Sequence, residues 1–113
     1  RKKVKEASWA LPYISSEAKL AKYFVENDWV LDDVDYTNFS NVEPGDILFW
    51  DSDDVQNNNF MNCSHTSICV GKDDKGNNMI IEGIEDGVIR KIKITDRNIN
   101  NLLFVGRIDL SKK

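Results

Sequence analysis

The sequence predicts an α+β domain in which one amphipathic helix precedes a small, curved, mostly antiparallel sheet of about five strands. Three observations predict it. A helical period occupies about three turns and stops at Asn27-Asp28. From Ile47 onward the apolar runs are short, at 47–50, 65–70, 79–82, 88–94 and 102–110, as strands are. Between them stand turn formers, Pro44-Gly45-Asp46, Gly76 and Gly87, with no second helical period.

Residues 1–14 form a basic, polar lead that Leu11-Pro12-Tyr13 interrupts, since a proline pushes the residue before it out of the helical region. The domain is expected over 15–110, with 111–113 as a loose tail. Ser15-Ser16 ahead of Glu17 is an N-cap signal, and Leu20, Tyr23 and Phe24, with Ala21 beside them, make the apolar face of a helix over 17–27. Trp29-Val30-Leu31 is a short apolar run. The acidic loop that follows, Asp32-Asp33-Val34-Asp35, lacks the alternating ligands, central glycine and final glutamate of a calcium loop. Ile47-Leu48-Phe49-Trp50 has no polar alternation, which suits a strand buried on both faces. An exposed polar loop is expected from Asp51 to Asn62. In the strand from His65 to Val70, His65, Ser67 and Cys69 share one face and Ile68 and Val70 the other. A hairpin at 73–78, with Gly76 left-handed, returns through Met79–Glu82. A strand from Val88 to Ile94 follows, then a loop, then a closing strand over Leu102–Leu110 bent at Gly106. The strands are expected in meander order.

Composition removes several function classes. At 113 residues and 41% hydrophobic the chain supports one modest core. Its net charge of −4 and pI near 4.9 give no basic footprint for nucleic acid. The basic pairs, Arg90-Lys91 among them, read as solvated surface. No apolar run reaches the ~20 residues that a membrane helix needs. Two cysteines make neither a disulfide framework nor a zinc site, so no cofactor or metal is expected.

The chemistry concentrates in His65, the one histidine, and Glu82, a carboxylate ending the apolar run 79–82. A base and an orienting acid on neighbouring strands are two parts of a nucleophilic active site. The third part is missing from the pattern. Cys63 is a candidate substitute nucleophile because it shares a face with His65 in an extended chain, ~6.6–7 Å along it. It lacks a helix N-terminus to stabilise a thiolate. Cys69 lies about 13 Å from His65 on the same rise and is read as a core or wall residue.

These runs resemble a known pattern. Pro44-Gly-Asp-Ile-Leu-Phe-Trp50, His65-Thr-Ser-Ile-Cys-Val-Gly71, Met79-Ile-Ile-Glu-Gly83 and Phe104-Val-Gly-Arg-Ile108 are similar to the C-terminal two-thirds of papain-like cell-wall peptidases, the NlpC type and the related CHAP amidases and endopeptidases. The resemblance covers about Ser15 to Leu110 and implies a papain-like fold, incomplete on its N-terminal side. It implies His65 as general base and Glu82 as the residue that orients it, with Thr66 and Ser67 lining the substrate cleft and Trp50 at its mouth, placed for glycan contact. The family's nucleophile is a cysteine at the start of a helix upstream of everything here. In this chain it is expected before Arg1, on another chain, or lost.

The expected function is therefore a peptidoglycan hydrolase module that cleaves stem-peptide bonds, with its nucleophile outside this chain, which alone is inactive. The rival is a catalytically inactive structural or wall-binding module, as in a phage tail or surface complex. A papain-like acyltransferase shares the same logic. The acidic, asparagine-rich composition points to a secreted or cell-surface protein of a Gram-positive host, or to a phage virion.

Overall fold

In the computed structural model the described residues are 16–51, 63–83 and 87–112. They form one helix, α1 (Ser16–Glu26), and five strands: β1 (Ile47–Trp50), β2 (His65–Lys72), β3 (Asn78–Gly83), β4 (Ile89–Lys93) and β5 (Leu102–Gly106). All pairings are antiparallel, in the order β4-β3-β2-β1-β5. The α+β class and strand number match the sequence reading. The expected meander does not: β1 to β4 follow one another, but β5 crosses the molecule to pair with β1.

The stop of α1 is written in Asn27-Asp28. Asn27 donates to the Tyr23 carbonyl through both its backbone and its side-chain amide. Asp28 takes φ 59°, its N–H reaches the Val25 carbonyl, and the Trp29 N–H reaches back to Phe24. That pair of bonds satisfies carbonyls the last turn would otherwise orphan. At the other end, Ser15 of the expected cap lies outside the described residues, and Ser16 is already helical.

The buried stripe of α1 is Ala18, Ala21, Phe24 and Val25, whereas Leu20 and Tyr23 are exposed. The reading from residue size thus placed the face about one residue off. The two alanines let the helix lie close to the sheet, and Phe24 takes the gap over Gly106, where a Cβ would sit 2.5 Å from its ring. Phe24, Trp29, Phe49 and Phe104 complete this first core layer, with Phe49 stacked on Phe104 at 4.4 Å.

The opposite face of the sheet carries Leu48, Trp50, Cys69, Ile80, Leu102 and Val105, covered by Phe39 and Val42 from the loop after α1 and by Ile94. Trp29-Val30-Leu31 extends this edge: Val30 bridges Gly106, and Leu31 donates to the Val105 carbonyl. The strand expected to run to Leu110 stops at Gly106, because Arg107 turns inward. Its guanidinium grips Asp46 through Nε at 2.9 Å and Nη2 at 2.8 Å and reaches the Asn41 carbonyl. Asp46 in turn accepts the Glu43 N–H, closing the Pro44-Gly45 turn that starts β1. The segment expected as a loose tail holds a short 3-10 turn, Leu110–Lys112.

Candidate active site

β2 and β3 are neighbours, and they bring His65 and Glu82 together. His65 Nε2 lies 3.1 Å from Glu82 Oε1. The imidazole is 24% exposed while the Glu82 side chain is completely buried. With Nε2–H donating to the carboxylate, Nδ1 keeps its lone pair, and no described residue bonds it.

Glu82 has two further partners that the sequence reading missed. Arg90, directly opposite in the β3–β4 register, donates to Oε2 through Nε at 2.8 Å. Arg97, between the two 3-10 turns Ile94–Asp96 and Ile99–Asn101, donates through Nε to Oε1 at 2.7 Å. Arg97 also lies over the Trp50 ring, 5.2 Å from its centroid, which fixes the guanidinium plane. Burial is the largest single influence on Glu82 and works against its charge. The hydrogen bonds from Arg97, Arg90 and His65, with the Arg97 charge, together outweigh it and hold the carboxyl at about 2. Glu82 is a permanent anion at neutral pH.

A signal for Arg90 was present: it stands opposite Glu82 in the antiparallel β3–β4 pairing, so a Glu–Arg cross-strand pair could be read once those two runs were set side by side. Arg97 gives no such signal, since its place depends on how an irregular loop folds back over Trp50.

Trp50 stands directly opposite His65 in the β1–β2 register. Trp50, expected at a cleft mouth, is fully buried, and its indole N–H donates to Ser67 Oγ at 2.8 Å. Ser67 is buried with it. Trp50 points inward because β1 has a core layer on each face, and Ser67 shares the buried face of β2 with Cys69. Thr66, on the opposite face of β2, is half-buried. Cys63 is buried among the α1 layer, and its thiol donates to the His65 carbonyl rather than to the imidazole. Burial pushes that thiol up to about 12 against the lowering effect of backbone hydrogen bonds from His65 and Trp50. Cys69 is buried, and desolvation raises its thiol too. A neutral, enclosed thiol is a poor nucleophile. The expected loop at 51–62 falls, apart from Asp51, outside the described residues.

Among the described residues no group of three or more histidine, cysteine, aspartate or glutamate side chains converges as a metal site. No helix among them is long and apolar enough to cross a membrane. Compared with known proteins, the chain matches no family model, no curated protein and no solved structure.

Proposed function

We propose that this chain is the base-bearing part of a papain-like peptidoglycan hydrolase, acting on the peptide bonds of the wall stem peptide. The observation that carries the reading is the His65–Glu82 pair: a partly exposed imidazole on β2 tied through one nitrogen to a buried, permanently ionised carboxylate on β3. That arrangement fixes the ring, selects its tautomer and steadies the imidazolium formed during turnover. The resemblance of the strands around His65 and Glu82 to the NlpC and CHAP families supports the same assignment.

In the proposed reaction a thiolate from outside this chain attacks the scissile carbonyl carbon. The C–N bond breaks as the imidazolium of His65 gives its proton to the leaving amine, and a thioester forms. Water then attacks, His65 takes its proton, and the C–S bond of the thioester breaks to release the acid and the thiolate, restoring the starting pair. Glu82 stays ionised throughout.

A second reading, a non-catalytic structural or wall-binding module, is favoured by one observation: both cysteines of the chain are buried with raised thiols. Zymography on purified peptidoglycan, using the native gene product with its mass and N-terminus determined, separates the two. Clearing by that product, abolished in His65→Ala, establishes the hydrolase. Intact walls after treatment with a native product that begins at Arg1 would sink it in favour of the module.

A further inference from the structure

Among the described residues the cluster around Glu82 is not charge-balanced. One carboxylate faces two guanidiniums, leaving one positive charge in excess even with His65 neutral. No other carboxylate of the described residues pairs with Arg90 or Arg97. This happens in a chain whose overall charge is −4, so the local excess is not a general property of its surface.

The geometry of the arginines is that of a held receptor. Arg90 turns its Nε and Nη2 edge to Glu82, and Arg97 turns its Nε. A guanidinium has five N–H donors in a rigid fork, so each keeps N–H groups that Glu82 does not use. Arg97 is braced against Trp50, which costs a ligand little ordering entropy. The side chains of Arg90, Arg97 and His65 are 46%, 22% and 24% exposed, while the carboxylate that anchors them is completely buried. His65 and Arg97 both touch Glu82 Oε1, so the unused donors lie beside the imidazole. The buried anion thus presents two cations to solvent at one place.

We propose that Arg90 and Arg97 form an oxyanion-binding site next to His65 that takes a carboxylate of the ligand. The site rests on the hydrolase reading for its ligand: there it would hold a free carboxylate of the stem peptide and set which bond lies against the imidazole. A bidentate guanidinium–carboxylate contact supplies both affinity and direction, which a lone histidine does not. Phosphate shares this chemistry and is the alternative source of the oxyanion.

The test is NMR titration of the arginine Nε–H signals of the intact chain, with N-acetyl-alanine, N-acetyl-alaninamide and inorganic phosphate as probes. The free acid should shift the Arg90 and Arg97 signals and saturate; the amide should leave them unmoved. Arg90→Gln should weaken the acid roughly tenfold, the effect of losing one charge-assisted contact. Arg90 is the first variant because it is half exposed on the edge strand β4; Arg97→Gln repeats the test from the Trp50 side. Equal response to acid and amide, or none to either oxyanion, overturns the site. Saturation by phosphate alone keeps an oxyanion site and removes the stem peptide from it. Binding is read without turnover, so a failed zymogram leaves a positive titration standing. Wall clearing without acid–amide discrimination overturns this site alone.

Discussion

Glu82→Gln isolates the ion cluster at little change of shape. The glutamine keeps the volume and one acceptor but leaves two guanidiniums facing a neutral side chain at a position with no solvent access. Removing one partner of a buried ion pair costs about 3–5 kcal/mol. Linkage gives an independent figure: a carboxyl moved from 4.5 to about 2 contributes ~3 kcal/mol, at ~1.4 kcal/mol per unit. Because Arg90 and Arg97 are partly exposed and can turn to water, we expect a cost at or just below that range, ~2–3 kcal/mol at neutral pH. The sign also follows. A depressed carboxyl stabilises the fold fully above its unfolded value near 4.5 and loses that contribution as the pH falls toward 2. Urea unfolding of wild type and variant at pH 7 and pH 3 should therefore show a gap that shrinks by ~2 kcal/mol at the lower pH. A gap that does not change with pH would refute the claim that the guanidiniums hold Glu82 ionised.

Three further outcomes follow from other parts of the structure. Gly106→Ala places a methyl 2.5 Å from the Phe24 ring and 3.1 Å from Phe49, and should cost ~1–3 kcal/mol in calorimetry, partly recovered by Phe24→Leu. Asp46→Asn removes the charge that Arg107 grips in two places, and should lower stability by ~2–4 kcal/mol in urea; no loss would mean that the pair only breaks even with its desolvation. With its thiol near 12, Cys63 is ionised to roughly one part in 10⁴ at pH 8. Iodoacetamide should therefore label neither cysteine in the native chain and both in urea, as mass spectrometry would read directly; native labelling of Cys63 would reopen it as a nucleophile.

The sequence was most legible where structure is local. The helix, the buried strand at 47–50, the Gly76 turn and the facing of His65 with Ser67 all follow from periods and turn residues within one element. What failed was non-local. The meander order was wrong because β5 is placed by Phe104 stacking on Phe49 and by Phe24 filling the space over Gly106, contacts that no local pattern displays. The helix face was half right: Phe24 and Ala21 are buried as read, but Leu20 and Tyr23 were preferred to Ala18 and Val25 because bulk was weighed above fit, and only the alanines allow close approach. In the site, the pairing of His65 with Glu82 was readable from two strands and a hairpin. Arg97 was not, since a loop residue carries no register.

The place of β5 has a consequence for how the chain is made. β1 at 47–50 lies between β2 and β5, and its second neighbour is more than fifty residues away in sequence. Until that last strand emerges, Phe49 has no stacking partner, Phe24 faces an open gap, and the backbone of β1 offers an unpaired edge. Such edges recruit strands from other chains. Non-local closure of this kind is also slow. A chain halted before residue 102 would carry the helix, the hairpins and the His65 strand, yet present a sticky edge along β1. Synthesis of Leu102–Gly106 gives β1 its second neighbour and covers that edge.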